Sequence, residues 1–524
     1  MGSTGKYFLN SVLLSAVSVA VRFISVSFNA HVAVKVGAEC MGLFTLTSSV
    51  YSLCVILASA GANLAVVRAV SETRARCEKC GVDPSSDLRR VVRSAAVYSL
   101  VFGALTGGAV FLLSDYIGTE LLGDERCVMS LKAFAASLPA VSLSSALSGY
   151  FTGVGKVYKN AVCAVSEQAV KIFLISSLLI LIAPRGIEYA CLAIVGGGAA
   201  AEGISLVTAY ILYKTDKTGK RRGSAETARF GIRDVAALAV PVAVGSAARN
   251  GLITAEHLSI PRSLAAYGMT PSEALSVYGV THGMVMPVVM FPSAVLYSFA
   301  GLLIPELSAC RAVGDAARIK NIEEKVFRSS LLFSVCVSGV FLSFSDGIGQ
   351  RLYGSDEAAR QLGLMALLVP VMYLDSAVDG MLKGLGEEKY CMKVNVVDST
   401  LCLALVFVLV PAFGIDGYIA LTVISELVNA SLSIMRLMKV APFRADLFRW
   451  VFIPVLSVSA GAFAAKIFSS AFPGVGIVWP VALCVAVYGA SCFATGAVGK
   501  GDVRWLSSVF KRKKATGNAR RVSD

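Results

Sequence analysis

The sequence predicts an all-α polytopic membrane protein of about 14 transmembrane helices: two six-helix lobes followed by two C-terminal helices. Three observations carry this. Of 524 residues, 56% are hydrophobic and only 16% charged, whereas soluble domains run near 25% charged. Mean hydropathy is +0.71, more apolar surface than a soluble interior holds. Apolar stretches long enough to span a bilayer recur along most of the chain, and part of the pattern repeats.

The stretches fall near 8–29, 43–67, 93–114, 128–151, 160–183, 189–213, 234–257, 276–303, 329–346, 361–382, 394–412, 417–438, 450–470 and 477–498. They lack the ten-residue alternation of an outer-membrane barrel. The longest gaps are about two dozen residues, too short for a folded domain. This excludes a built-in ATPase, kinase or glycosyltransferase domain, and no G-x-x-x-x-G-K-[ST] run is present. The first span has no small-residue cleavage site behind it and reads as a retained helix. The expected organisation is an N-lobe over 1–213, a basic linker over 214–233, a C-lobe over 234–440, spans thirteen and fourteen over 441–498, and a basic tail over 499–524.

Charge sets the topology. With a cytoplasmic N-terminus, 37 Lys and Arg fall in inside segments and 7 outside. This split fits fourteen spans with both termini cytoplasmic, in the bacterial cell (cytoplasmic) membrane. The tail run Lys511-Arg-Lys-Lys reads as a patch for anionic lipid headgroups, not nucleic acid. Thirteen cysteines are scattered, Cys77-Glu-Lys-Cys80 has no partner ligands, and the three histidines show no metal spacing. No metal and no cofactor is expected.

The repeat is a glycine signature. Gly149-Tyr-Phe-Thr-Gly153-Val-Gly155 recurs as Gly380-Met-Leu-Lys-Gly384-Leu-Gly386, 231 residues on. Arg22 and Arg249 form a second, approximate pair, each 16 residues after the last cation before spans one and seven. Spans one to six and seven to twelve then read as copies of one unit. An even number of spans per copy relates them by an axis along the membrane normal, with a cleft between them, as in an alternating-access carrier.

Charges inside spans ask for a reason, since each costs roughly 2.5–3.5 kcal/mol at mid-bilayer on insertion scales. Arg22 and Arg249 either snorkel to the outer headgroups or face a cleft and bind an anion, for which Arg suits phosphate oxygens. Lys171 lies four residues after Glu167; the plain reading is a local ion pair, the functional one a further cleft cation. Asp375 and Asp379 share a helical face, with Lys383 four further on. They read as an ion-coupling pair for H+ or Na+, or as a cavity face neutralised by Lys383. Glu256 ends span seven beside His257 and is a further coupling candidate. Glu202, Asp398 and Glu426 are single acids without spacing to interpret. Pro139, Pro241, Pro287, Pro292 and Pro370 are hinge candidates.

Four stretches together resemble a known family. They are Gly37-Ala-Glu-Cys-Met-Gly-Leu-Phe with Ala58 to Glu72; Gly149 to Lys171; Ile260-Pro261-Arg262, Tyr278-Gly279 and Leu303-Ile-Pro305-Glu-Leu-Ser308; and Gly380 to Gly386. Over roughly residues 8–400 the chain resembles the polysaccharide biosynthesis, stage V sporulation protein B-like flippases of the multidrug/oligosaccharidyl-lipid/polysaccharide (MOP) superfamily, relatives of the lipid II flippases. The resemblance implies a MATE-like flippase fold and no enzyme activity. It implies transport of an isoprenoid-pyrophosphate-linked saccharide, a cell-wall or polysaccharide precursor, from the inner to the outer leaflet. Arg22 lies where lipid II flippases carry a span-one arginine. Asn29 stands near the place of another, and apolar residues around Cys54-Val55 fill the place of one in span two. The alternatives are a cation-coupled multidrug exporter of the same superfamily and a non-transporting cell-wall scaffold; Arg22 in a first span without acids disfavours the exporter.

Overall fold

A computed structural model of the chain describes residues 3–80, 85–216, 231–443, 446, 448–472 and 474–498. Among these, sixteen α-helices are joined by short turns, and there is no strand. They are α1 (Ser3–Ser59), α2 (Ala62–Cys80), α3 (Ser85–Tyr116), α4 (Val128–Gly153), α5 (Tyr158–Ile182), α6 (Ile187–Lys214), α7 (Ile232–Ala266) and α8 (Pro271–Tyr278). The remainder are α9 (Met286–Met290), α10 (Ser293–Val313), α11 (Ala316–Tyr353), α12 (Asp356–Ala366), α13 (Val369–Gly384), α14 (Glu388–Val440), α15 (Ile453–Ala471) and α16 (Val478–Ala494). Gly37 (φ 81°) divides α1 and Gly414 (φ 60°) divides α14. Both take the left-handed conformation that glycine adopts without steric cost.

Nine described helices are long and apolar enough to cross a membrane, ten if the bent pair α12–α13 is one span. With α1 and α14 each divided by its glycine, this is consistent with fourteen crossings. The surface agrees: Leu105, Leu112, Phe173, Ile180 and Leu181 are 65–81% exposed, which suits lipid contact and not water. The chain is an integral membrane protein.

Contacts divide it into two compact units. The first comprises Lys6–Phe28 and Val36–Pro261; the second takes Asn29–Lys35 and the chain from Arg262 onward. In the first unit, Ala62, Val66 and Val70 of α2 pack on Tyr98 of α3 and on Tyr150 and Phe151 of α4. The glycines of α4 explain the closeness. A Cβ at Gly149 would lie 2.6 Å from the Asn63 carbonyl oxygen, and one at Gly153 would lie 2.7 Å from Val70 Cγ1, the small-residue packing that lets membrane helices touch. In the second unit, Val378, Met381 and Leu382 of α13 pack on Leu307 of α10 and Val326 of α11. Gly384 sits against Leu307, and the Ser308 hydroxyl donates to its carbonyl at 2.8 Å.

The 231-residue repeat extends far beyond the glycine signature. Span two breaks at Ala60–Gly61 and span eight at Phe291–Pro292, 231 positions on. Pro139 of α4 corresponds to Pro370 of α13. A proline has no N–H for the carbonyl four residues back, which frees the oxygens of Ala135 and Ala366. The first faces Gly107 of α3, where a Cβ would stand 2.7 Å away. The second accepts a 2.7 Å bond from Ser338 of α11, and Ser338 is Gly107 plus 231. Pro139 leaves α4 continuous; near Pro370 the chain bends by 55° between α12 and α13.

Both copies of the glycine signature end in one turn. Gly155 has φ 75° and Gly386 φ 73°. Lys156 N–H donates to the Phe151 carbonyl at 2.8 Å, and Glu387 N–H to that of Leu382 at 2.9 Å, the wider bond of a Schellman C-cap. Each turn is then tied to the end of a later helix. In the first unit Lys156 pairs with Asp216, Lys159 Nζ lies 3.3 Å from Asp216 Oδ2, and it donates to the Leu212 carbonyl at 2.7 Å. In the second, Arg436 Nη2 donates to Glu387 Oε2 at 2.7 Å, and the Tyr390 hydroxyl donates to the Leu432 carbonyl at 3.2 Å. The turn residues keep the 231 offset, while Asp216/Arg436 and Leu212/Leu432 stand at 220. The second copy is therefore eleven residues shorter between this turn and the helix end tied to it, about three helical turns. The register of the face is kept, but the charges are exchanged.

Candidate functional site

In the first unit the cations fall into two classes. Arg22 of α1 is exposed, and among the described residues no carboxylate stands within ion-pair distance of it. Arg249 of α7 is exposed and belongs to the same compact unit. Glu256 is partly buried two turns further along α7 and returns to the Arg249 face.

Lys171 of α5 belongs to a polar network. It forms no ion pair with Glu167, so the expected local pair is absent. Its Cε lies over Gly198 of α6, 3.8 Å from where a Cβ would be. Glu202, one turn on, is within electrostatic reach of both Lys171 and Glu167. The Tyr51 hydroxyl donates to Glu202 Oε2 at 2.5 Å and lies 2.8 Å from Ser137 Oγ, while its ring stacks on Phe134 at 3.8 Å. Spans two, four, five and six thus meet around two acids, Glu167 and Glu202, and one base, Lys171. Glu202 read as an isolated acid because its partners come from helices distant in sequence.

The second unit gathers acids. Asp379 pairs with Lys383 on α13. Asp375, one turn earlier, receives the Asn429 amide on Oδ2 at 3.0 Å; its Oδ1 is buried without a hydrogen-bond partner. Asp398 accepts the Ser425 hydroxyl, and Glu426 lies within electrostatic reach of Asp375 and Asp398. The helices α13 and α14 therefore bring together three acids that Lys383 does not neutralise by contact. Asp398 and Glu426 had no readable spacing because the Gly414 break folds α14 back on itself.

Asn29 has a different task. Its Nδ2 donates to the Gly283 carbonyl at 2.8 Å, and the Tyr353 hydroxyl donates to that of Met284 at 2.8 Å. Both carbonyls lie in a π-helical turn, Gly279–Val285, that the α-helical ladder leaves under-bonded. His282 of that turn lies between Tyr278 (4.8 Å) and Tyr418 (5.3 Å). An amide suits this position: it is a short neutral donor where a guanidinium would overreach.

Residues 8–311, which include the first-unit network and the turn at Gly155, match the family model described as polysaccharide biosynthesis protein. The chain belongs to the polysaccharide biosynthesis protein family. Among curated proteins it is 25% identical over 428 residues to stage V sporulation protein B of Bacillus subtilis (strain 168), covering 80% of this chain and 81% of that one. Among solved structures it is similar to the lipid II flippase MurJ in an inward closed conformation (TM-score 0.69, 12% identity, 96% and 99% of the chains). It is also similar to an inward-facing multidrug resistance MATE family transporter of the MOP superfamily (TM-score 0.56, 14% identity, 82% and 100%). This member of the polysaccharide biosynthesis family thus has the MATE/MurJ-like fold, and the two solved structures it is similar to are named a lipid II flippase and a multidrug transporter.

Proposed function

We propose that the protein flips an isoprenoid-pyrophosphate-linked saccharide from the inner to the outer leaflet of the bacterial cytoplasmic membrane by alternating access. The observation that carries this is Arg22, an exposed guanidinium deep in the first span with no carboxylate in reach among the described residues. A cation so placed calls for an anion, and the planar fork of Arg matches phosphate oxygens. Arg249 joins it from the same unit, and Lys171 contributes through the Glu202–Tyr51 network. The sugar travels in the aqueous cavity while the polyprenyl tail stays in lipid. No covalent step is needed.

The two copies of the six-span repeat, over 1–213 and 234–440, supply the moving parts. The inside-rich charge split supports cytoplasmic termini. Asp375 is the coupling acid for H+ or Na+, with Asp379 held in reserve by Lys383 and Glu256 of α7 as a further candidate. The tail over 499–524, which lies outside the described residues, rests on anionic headgroups.

Native mass spectrometry of protein extracted from its own membrane tests the substrate. The wild type is expected to carry a polyprenyl-pyrophosphate saccharide that Arg22→Ala/Arg249→Ala loses. Equal retention of bulk phospholipid alone by both proteins removes the anionic-substrate reading.

A further inference from the structure

The first unit contains a cavity of about 740 Å³ between α3, α4 and α6, within the roughly 300–1,000 Å³ typical of ligand sites. It is separate from Arg22, Lys171 and Glu202, and its lining is divided. Arg89, Arg90 and Arg93, from the first turns of α3, supply the charge, while Leu143, Leu147 and Val207 supply apolar wall. Tyr210 and Tyr213, in the last turns of α6, complete it, and the Lys214 ammonium lies 4.9 Å over the Tyr210 ring.

The three arginines do nothing for the helix that carries them. They lie past the first turn of α3, beyond the reach of the helix dipole, and Arg89 and Arg93, four apart, repel each other along one face. Among the described residues no acid stands within ion-pair distance of any of them. All three are exposed, so burial does not force their arrangement. An anion placed among them offsets that repulsion, and guanidinium groups bind phosphate oxygens in pairs. A soluble anion would not need the apolar wall below. A phosphate that carries a hydrocarbon chain uses both halves, and tyrosines suit the level where headgroup meets chain.

We propose that this cavity binds an anionic phospholipid of the surrounding bilayer. Its phosphate is held by Arg89, Arg90 and Arg93, and one acyl chain lies along Leu143, Leu147 and Val207. The site is distinct from the proposed substrate path, so its occupancy and saccharide transport are separately measurable.

The test is delipidated full-length protein titrated in detergent with phosphatidylglycerol, phosphatidylethanolamine and inorganic phosphate, read by native mass spectrometry. Phosphatidylglycerol is expected to give a discrete adduct at least tenfold tighter than phosphatidylethanolamine, with no competition from millimolar phosphate. The Arg89→Gln/Arg90→Gln/Arg93→Gln variant should weaken that adduct at least tenfold. The Val207→Trp variant, which fills the apolar half at a position 56% exposed, should weaken it without altering charge. Both changes are on exposed positions, and an unchanged melting temperature confirms folding. Competition by phosphate together with indifference to Val207→Trp would show an ion site and overturn the lipid. An adduct unchanged in the triple variant, or equal binding of both lipids, would overturn the site. Loss of transport in Arg22→Ala leaves all these readings untouched.

Discussion

The Tyr373 hydroxyl donates to the Val289 carbonyl at 2.6 Å, two residues before the break in span eight. At the same register, 231 positions earlier, Ser142 Oγ stands 2.8 Å from the Ala58 carbonyl, two residues before the break in span two. In each unit, a side chain from the fourth span of the repeat covers the backbone oxygen beside the broken second span. Ser142 also lies 2.8 Å from the Ser99 carbonyl, so its single proton serves two acceptors, whereas Tyr373 commits its proton to one.

Tyr373→Phe should therefore cost more than its hydrogen bond alone. Tyr373 is 0% exposed, and the Val289 oxygen would be left buried without its donor, an expected loss of about 1–3 kcal/mol. Ser142→Ala leaves two weakly served carbonyls and should fall in the same range. Thermal unfolding in detergent measures both. An unchanged melting temperature for Tyr373→Phe would mean that the break is held by packing alone.

How much of this was legible follows from what periodicity records. Apolar stretches and the Lys/Arg split mark the spans because the bilayer acts on every residue of a span. The G-x-x-x-G-x-G recurrence exposed the repeat because glycine is demanded wherever helices touch or φ turns positive. The pairs Pro139/Pro370 and Ala60/Phe291 share the same 231 offset and were within reach once it was applied along the chain. Gly107/Ser338 and Ser142/Tyr373 were not, because the same task, a covered carbonyl, is met by unlike residues. Lys156/Glu387 was hidden by the exchange of charge, and its partners by the eleven-residue difference. The arginines of α3 enter the Lys/Arg split only by their sign; their grouping is not legible in the sequence, because the cavity wall comes from α4 and α6.

The two turn-to-helix ties should differ in strength. Asp216 and Lys159 have side chains 6% exposed, while Arg436 and Glu387 are 31% and 17% exposed. Removing one partner of a buried pair strands the other charge, at about 3–5 kcal/mol. Asp216→Ala is expected near 3 kcal/mol and Lys156→Ala, on the more exposed cation, below about 1 kcal/mol. Exchanging Glu387→Arg with Arg436→Glu should recover most of what either single change loses, since the first unit already carries the reversed polarity. Urea or thermal unfolding decides it, and a double variant as weak as the worse single one would contradict the shared geometry.

Lys171 should act through its neighbours. Lys171→Met leaves Glu167 and Glu202 facing each other without their cation, an expected loss of about 1–2 kcal/mol at this half-buried site. Glu202→Gln keeps an acceptor for Tyr51 and removes the repulsion, so it should suppress the defect when combined with Lys171→Met. A double-mutant cycle on melting temperature reads the coupling. Strict additivity would leave Lys171 outside the network and return it to the role of an independent cation.

The acids of the second unit give the sharpest functional contrast. Asp375 and Asp379 sit one turn apart on α13, and sequence alone makes them equals. Their surroundings do not: Asp379 is neutralised by Lys383, while Asp375 has the Asn429 amide and Ser433 beside it, no cation in contact among the described residues, and Asp398 and Glu426 close by. If a cation drives the cycle, it is drawn to Asp375. In proteoliposomes loaded with the lipid-linked saccharide, Asp375→Asn should abolish the dependence of transport on an imposed H+ or Na+ gradient. Asp379→Asn paired with Lys383→Met removes an already balanced charge pair and should keep that dependence, with rates within about threefold, or roughly 0.7 kcal/mol of barrier. Equal loss in both would assign coupling to the whole face of α13; loss in the Asp379 variant alone would reverse the assignment.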